Sequence, residues 1–442
     1  MSVDDGDKGR WSAEHLPSSW RWVSFNEFWT DHTDSKRKIP QNSYLTEGTF
    51  PVIDQGANLI GGYANDSTKS SLAPLPVIIF GDHTRATKYF DRPFIQGADG
   101  VRILCAAHGV DPLFAYHSLR CVQLPDKGYS RHFRFLKATQ FPLAPLSEQR
   151  RNVAKIDSLS AKSKRAREQL NPIPRFVEKY KQSILAAAFR GEFTRVQRGI
   201  GTRDSEWSHV SAGTIIEDIV AGKNLRCEER PPKENENGVV KVSAVTWGAF
   251  NPLATKTLPK SFVPPPQTRI QPGDFLLSRA NTLELVGAVV IVKQTPANLF
   301  LSDKILRLEI AEETKPWLLW FLRSPDGRSA IEGSATGNQL SMRNLSQSAL
   351  RNIQVPWTNA DERREIVSRI ETAFSWIDRL ASETTSTQRL IDHLDQAILA
   401  KAFRGELVPQ DPNDEPASVL LERIKAERAG QAATEHSRRA RK

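Results

Sequence analysis

The chain repeats itself, and this constrains its fold more than any other feature. The segment AAAFRGEF at 186–193 returns as AKAFRGEL at 400–407, an offset of 214. Without a gap, the same offset carries Glu148 onto Glu362, Val153 onto Val367, Lys155 onto Arg369, Ile156 onto Ile370 and Asp157 onto Glu371. It also carries Ile184 onto Ile398 and Leu185 onto Leu399. Two periods of this length account for nearly all of the 442 residues. The protein is therefore a duplication of one large unit, not a short-period solenoid.

The repeated stretches have a helical pattern. In the second copy, spacings of three and four link Ile370, Ala373, Ile377, Leu380, Thr384, Thr387, Ile391, Leu394 and Ile398. In the first they link Ile156, Leu159, Ser163, Ala166, Leu170, Ile173, Val177, Tyr180 and Ile184. These are heptad stripes with a polar patch at the centre of each. A stretch of about 40 residues spans roughly 60 Å if straight. Two such helices can bury their stripes against each other as an antiparallel coiled coil, with Ser163, Thr384 and Thr387 fixing the register. The alternative is that each helix packs on its own globular domain. Asn171-Pro172-Ile173-Pro174 interrupts the first copy and predicts a kink or break there, because proline removes a helical donor and clashes with the preceding turn. Gly191 and Gly405 are placed to end the helices in a left-handed cap, with Arg190 and Arg404 opposing the negative end of the helix dipole.

Ahead of each helix lies a mixed region of strands and loops, from about Leu16 to Pro145 and from about Thr202 to Pro356. Each opens on tryptophan, Trp20 and Trp22 in one and Trp207 in the other. Each then gives an apolar strand, a short helix opened by proline, a polar loop and an apolar exit. In the first these are GVRILCA, DPLFAYHSLR, DKGYSRHF and FPLAP; in the second, DKILRLEI, KPWLLWFLRS, GSATGNQLSMRN and IQVP. Trp20 precedes Glu148 by 128 residues and Trp207 precedes Glu362 by 155, so the second region carries about 27 inserted residues.

Composition narrows the function classes. A net charge of +10 suits a polyanionic partner, for which nucleic acid is the usual case. The longest apolar stretches, LPVIIF at 75–80 and LVGAVVIV at 285–292, fall far short of the roughly 20 residues a membrane-spanning helix needs. The N-terminal MSVDDGDKGRW has no apolar signal core, and Cys105, Cys121 and Cys227 form no CxxC pair. A reducing, cytoplasmic setting without structural zinc is expected.

Constant helices joined to divergent domains suggest one scaffold with two different readers. The chain resembles the specificity subunits of type I restriction-modification enzymes. The resemblance is carried by LSEQRRNVAKID at 146–157, SILAAAFRGEFT at 183–194, DERREIVSRIE at 361–371 and AILAKAFRGELV at 397–408. FPVIDQG at 50–56, IIFGDHTR at 78–85, GADGVRIL at 97–104, QPGDFLLSRA at 271–280 and LVGAVVIV at 285–292 look like segments of that family's reader domains. The resemblance implies an α+β protein: two mixed target recognition domains, two long helices forming an antiparallel coiled coil, and pseudo-twofold duplication. The boundaries are recognition domain 1 at 1–145, helical spacer 1 at 146–192, linker and recognition domain 2 at 193–356, helical spacer 2 at 357–408, and a C-terminal helix with basic tail at 409–442. That last helix carries Val419, Leu420 and Ile424 and gives way to a basic end from His436.

The resemblance further implies that each recognition domain reads one half of a bipartite, asymmetric site in double-stranded DNA, with the helices setting the gap. Two methyltransferase subunits dock on the helices and motor-nuclease subunits complete the complex. Arg150, Arg190, Arg364 and Arg404 are the candidate docking residues. S-adenosylmethionine, ATP and Mg are expected on the partner subunits, with no cofactor on this chain. The residues agree that catalysis lies elsewhere. Asn171-Pro-Ile-Pro and Asn251-Pro-Leu-Ala lack the second proline and the aromatic of an NPPY tetrapeptide, and no GxxxxGK[ST] loop exists to cradle phosphates.

Affinity for DNA comes from Lys and Arg on phosphates, and sequence choice from side chains that reach base edges. In the first domain the candidates are Lys36, Arg37, Lys38, His83, Thr84, Arg85, Lys88, Tyr129, Arg131 and His132. In the second they are Arg279, Asn281, Thr282, Asn338, Gln339 and Arg343. Arg on guanine and Asn or Gln on adenine are the common bidentate pairs. All lie in polar loops beside strands, where a rigid scaffold displays binding residues.

Overall fold

The computed structural model describes residues 16–125, 130–194, 207–339 and 342–439. The chain divides into two units, Met1–Leu170 with Ser386–Lys442, and Asn171–Thr385. Each unit thus holds one mixed domain, the N-terminal half of the helical stretch that follows it, and the C-terminal half of the other.

The two mixed domains share a plan. In the first unit Arg21–Ser24 pairs antiparallel with Gln140–Leu143, tying the start of the domain to its end. In the second, Ser208–Ser211 pairs the same way with Gln354–Trp357. A serine then opens a short helix in each. Ser24 caps Phe25–Phe28 in a reciprocal box with Glu27, and Ser211 caps Ala212–Ile215. A four-stranded antiparallel sheet follows, in the order Trp29–Asp31, Val101–Ala106, Val77–Gly81, Thr87–Phe90 in the first unit. Its counterpart runs Asp218–Ala221, Ile305–Glu309, Phe275–Ser278, Val289–Ile291. Each domain adds a three-stranded sheet with one parallel pairing, Val52 beside Ile95 and Gly238 beside Leu299.

The proline-opened helices are Pro112–Cys121 and Lys315–Arg323. Asp111 caps the first, accepting from the backbone N–H groups of Leu113 and Phe114. Part of the second domain's extra length is the helix Pro325–Ser334. The segment read as a polar loop, GSATGNQLSMRN, instead contains the paired strands Thr336–Gln339 and Met342–Asn344, the latter also pairing with Ala280–Asn281. Its residues are mostly polar, a composition that hydropathy alone reads as loop.

The first helical stretch breaks where its prolines predict. Leu146–Leu170 ends before an Asn171–Pro172 turn, and Ile173–Phe189 follows. The second stretch is one helix, Ala360–Phe403. Both AFRGE segments end in the same cap: Gly191 and Gly405 have φ of 72° and 73°. Glu192 N–H reaches the Ala187 carbonyl, and Glu406 N–H the Lys401 carbonyl. This is the Schellman arrangement, whose positive φ favours glycine.

The C-terminal half of each stretch packs on the domain it does not follow. In the first unit Phe403 lies 4.9 Å from Phe114, ring centre to ring centre, within a core that includes Trp20, Phe141, Val153 and Ile156. In the second, Phe189 sits 4.8 Å from Trp317, beside Phe321, Ile366 and Ile370. Inside each unit, then, a helix half lies on its own domain and another on the other copy's.

The buried stripe differs in detail from the apolar one. Tyr180, Leu380 and Leu394 are exposed at 65%, 50% and 54%, and Thr387 is exposed too. The inward positions beside them hold Lys181, Ala381, Asp395 and Gln388. Burial follows the helical phase set by Val177, Thr384, Ile391 and Ile398, so polar residues occupy the seam wherever the phase puts them. The C-terminal helix runs Ala417–Arg439, longer than the short helix expected, and buries Leu420 and Ile424 in the first unit's core.

Candidate nucleic-acid interface

In the first unit a buried carboxylate organises the loops. Asp82, 3% exposed, accepts from the Phe133 N–H at 2.8 Å through Oδ1, and its own N–H donates to the Gly100 carbonyl at 2.6 Å. Its carbonyl takes the His132 N–H at 2.8 Å and lies 3.0 Å from His132 Nδ1. Gln55 adds a second tie. Its Nε2 donates to the Asp99 carbonyl at 3.0 Å, its Oε1 accepts from His83 N–H at 3.2 Å, and its own carbonyl accepts from Thr84 Oγ1 at 2.6 Å. Lys38 pairs with the Asp99 carboxylate, and that contact holds the carboxyl below its ordinary range, with Arg131 adding to the effect. Arg85 sits at the tip of the turn with φ of 60°, a left-handed conformation.

These ties bring Lys38, His83, Thr84, Arg85 and Arg131 together in one group of loops, although they are far apart in sequence, and Lys36 lies two residues before Lys38. Lys36, Thr84, Arg85 and Arg131 are exposed, and Lys38 and His83 half-buried. Arg37 is directed inward, donating to the carbonyls of Thr68 and Ser70 at 2.6 and 3.0 Å. Two expected contacts are corrected. Lys88 is 5% exposed, its ammonium bonded to the Asp54 carbonyl at 2.7 Å, and burial lowers its pKa. His132 is 1% exposed beneath the loop. Neither can reach a phosphate as the loops stand. Tyr129 lies outside the described residues.

In the second unit strand pairing does the assembling. Asn281 stands opposite Arg343, and Ala280 opposite Asn344. Arg279 Nε donates to Asn344 Oδ1 at 3.3 Å, and Arg343 Nη1 donates to the Gly337 carbonyl at 2.5 Å. Asn281 Oδ1 accepts the Thr282 N–H at 2.9 Å. The segments 279–282 and 336–344 therefore form one surface bearing Arg279, Asn281, Thr282 and Arg343, all half-buried at their bases. The strand Thr336–Gln339 runs on through Asn338 and Gln339, whose side chains lie outside what the structure describes.

Sequence reading takes Asp82 beside His83 in a turn as structural, without seeing what it holds, and gives Gln55 only within its segment. Asp82 and Gln55 hold the surface in the first unit. In the second, Arg328 donates to the carbonyls of Val286 and Leu283 at 2.6 and 3.0 Å and lies 4.6 Å from the Trp247 ring centre. It fixes the loop that follows Thr282. No spacing in the sequence marks these three, because each acts across the fold.

The four arginines proposed for docking lie on helix surfaces and are exposed. Arg190 and Arg404 each reach the glutamate two residues on, Glu192 and Glu406, at 3.0 Å. Arg364 pairs with Asp361. Among the described residues no helix is long and apolar enough to cross a membrane, and no group of three His, Cys, Asp or Glu side chains could hold a metal.

No family model matches the chain. Its sequence is 29% identical over 315 residues to the type I restriction enzyme EcoKI specificity subunit of Escherichia coli K12, covering 67% of this chain and 66% of that protein. It is 26% identical over 328 residues to the EcoBI specificity subunit of Escherichia coli, covering 69% and 68%. The fold matches a chain from a structure of a type I R-M system concerned with complex assembly and conformational transition. There the TM-score is 0.60 at 19% identity, over 89% of this chain and 99% of the other.

Proposed function

We propose that this homologue of the type I restriction enzyme specificity subunits is the DNA-sequence-reading subunit of such a complex, with no catalytic site of its own. Each mixed domain reads one half of a bipartite, asymmetric site in double-stranded DNA. The helical stretches pair as an antiparallel coiled coil whose length sets the gap. The observation that carries this reading is the duplication of a loop surface on one scaffold. Both units build matching two-, four- and three-stranded sheets, to which the second adds a further three-stranded sheet, and one presents Lys36, Lys38, Thr84, Arg85 and Arg131, the other Arg279, Asn281, Thr282 and Arg343. Matching frames with different polar surfaces suit two different half-sites.

The chemistry follows from the side chains. Lysines and arginines neutralise phosphates and set orientation, a sequence-independent contribution that weakens with salt. Arg343 and Arg279 offer forked donors matching guanine O6 and N7, and Asn281 the donor–acceptor pair that matches adenine. Arg150, Arg190, Arg364 and Arg404 face outward on the helices for two methyltransferase subunits, and motor-nuclease subunits join them. S-adenosylmethionine, ATP and Mg belong to those partners, in the cytoplasm.

The test is the methylation pattern of DNA from cells expressing this chain with its cognate methyltransferase subunit, read against cells lacking it. A modified motif with two short specific halves and a fixed gap, present only with this chain, is the expected result. An ungapped motif, or the same pattern without the chain, overturns the reading.

A further inference from the structure

The two helical copies carry opposite charges where they meet. In the first unit the Arg167 guanidinium lies 2.8 Å from Asp392 Oδ1 and 2.7 Å from Asp395 Oδ2. In the second, Lys181 Nζ lies 2.6 Å from Asp378 Oδ1. The cations come from the first copy and the anions from the second. Both units follow one antiparallel register, since the numbers of Arg167 and Asp392, and of Lys181 and Asp378, add to the same total, 559.

A duplicated chain has an alternative available to it. Two molecules could exchange helices and pair like with like, first copy on first copy and second on second, with the same backbone geometry. The repeat offset tells what would then meet. It carries Lys164 onto Asp378, Glu178 onto Asp392 and Lys181 onto Asp395. First copies paired in this register set Lys181 against Lys164, twice by symmetry, and place Arg167 between Glu178 and Lys181. Second copies set Asp378 against Asp395, again twice. Arg167 alone keeps an opposite charge, Glu178, and does so beside Lys181; the other ion pairs of the unlike arrangement are lost or opposed, and like charges at such positions destabilise about as much as opposite ones stabilise. Apolar seam positions such as Ile156 and Ile370 are the same in both copies and cannot discriminate. The discrimination therefore rests on the charged positions, as it does for flanking charges in coiled coils generally.

We propose that the charged seam specifies pairing of unlike helical copies, so that the surface of the first copy fits the second copy of the same chain and two chains do not exchange helices. This does not rest on the DNA-reading assignment.

The test uses the full chain with Lys181→Asp and Asp378→Lys together. The exchange keeps the ion pair within the chain, but it makes both like pairings attractive. The carboxylate introduced at position 181 then faces Lys164, and the ammonium introduced at position 378 faces Asp395. Chains bearing two different affinity tags are mixed in denaturant, refolded together and captured through one tag. The wild-type chain is expected to carry over little of the second tag, and the double variant about tenfold more. Equal carry-over for the two proteins, or abundant carry-over for the wild type, overturns the proposal. If the double variant does not regain the wild-type circular dichroism, the wild-type chain alone decides. Refolding in roughly 1 M salt screens the seam and should raise its carry-over. The same carry-over at low and high salt overturns the proposal.

Discussion

Glu148 offers the sharpest test of how the domain is fastened to its helix. Its carboxylate is 1% exposed and accepts from Trp20 Nε1 at 2.9 Å and from Gln410 Nε2 at 2.5 Å. In one unit it joins the approach to the first strand, the helix Leu146–Leu170 and the segment between Phe403 and the C-terminal helix. Glu148→Ala leaves the indole N–H of Trp20, only 2% exposed, without its acceptor, while the exposed Gln410 amide keeps the Gly405 carbonyl at 3.1 Å. A buried donor left unpaired costs about 1–3 kcal/mol, and that is the expected loss. For a unit of this size each kcal/mol moves Tm by about 2–4 °C, giving a fall of roughly 2–12 °C. Glu148→Gln keeps an oxygen for the indole and should cost less than half as much. The two variants also differ in pH dependence. Burial raises the Glu148 carboxyl above its ordinary value of 4.5, against the hydrogen bonds from Trp20 and Gln410. The proton is then held more tightly folded than unfolded. The stability this gives is full below the ordinary value and is lost as pH rises through the raised one. The Gln variant should lack that slope. Calorimetry between pH 4 and pH 8 measures both effects. A fall of under about 2 °C for Ala, or equal falls for Ala and Gln, would refute the reasoning.

Three further outcomes are expected. Gly405→Ala should destabilise by at least about 2 kcal/mol in urea titration, because φ of 73° strains any L side chain and the added carbon meets the Pro17 ring; no change would mean that the cap relaxes freely. Arg343→Ala should relax base choice within one half-site by about 1–3 kcal/mol in competition binding and leave the other half-site unchanged. Inserting one heptad in both helical stretches lengthens them by about 10 Å and should widen the methylated motif's gap by roughly three base pairs with both halves unaltered; an unchanged gap would refute the ruler.

Much of the architecture was legible because duplication leaves its mark in residue numbers. The separations of 128 and 155 that measured the two domains turn out to join hydrogen-bonded pairs, Trp20 with Glu148 and Trp207 with Glu362. The prolines at 172 and 174 foretold the helix break, and the glycines at 191 and 405 the caps. The seam was misread where side-chain character was taken for direction. Tyr180, Leu380 and Leu394 are apolar but point outward, while Lys181 and Asp395 sit inward and pair with Asp378 and Arg167. A heptad read from apolar residues alone slips by one wherever the seam turns polar. The loop surfaces were found as segments, but not as assemblies. The pairing of Asn281 with Arg343 depends on the register of strands two to four residues long, which carry too little pattern to align by eye. Lys88 and His132 look like exposed side chains until Asp54 and Asp82 are seen to hold them inside.

The division of the chain also governs its birth. The second unit is continuous, from Asn171 to Thr385, but the first begins at the N-terminus and takes its last part from Ser386 onward. Synthesis at about 5–20 residues per second means that roughly 13–50 seconds separate the emergence of Leu170 from that of Ile424. Throughout that interval the faces of Phe114, Val153 and Ile156 wait for Phe403, Leu420 and Ile424. The part made first is finished last, and a nascent chain must shelter an open core while its younger half folds.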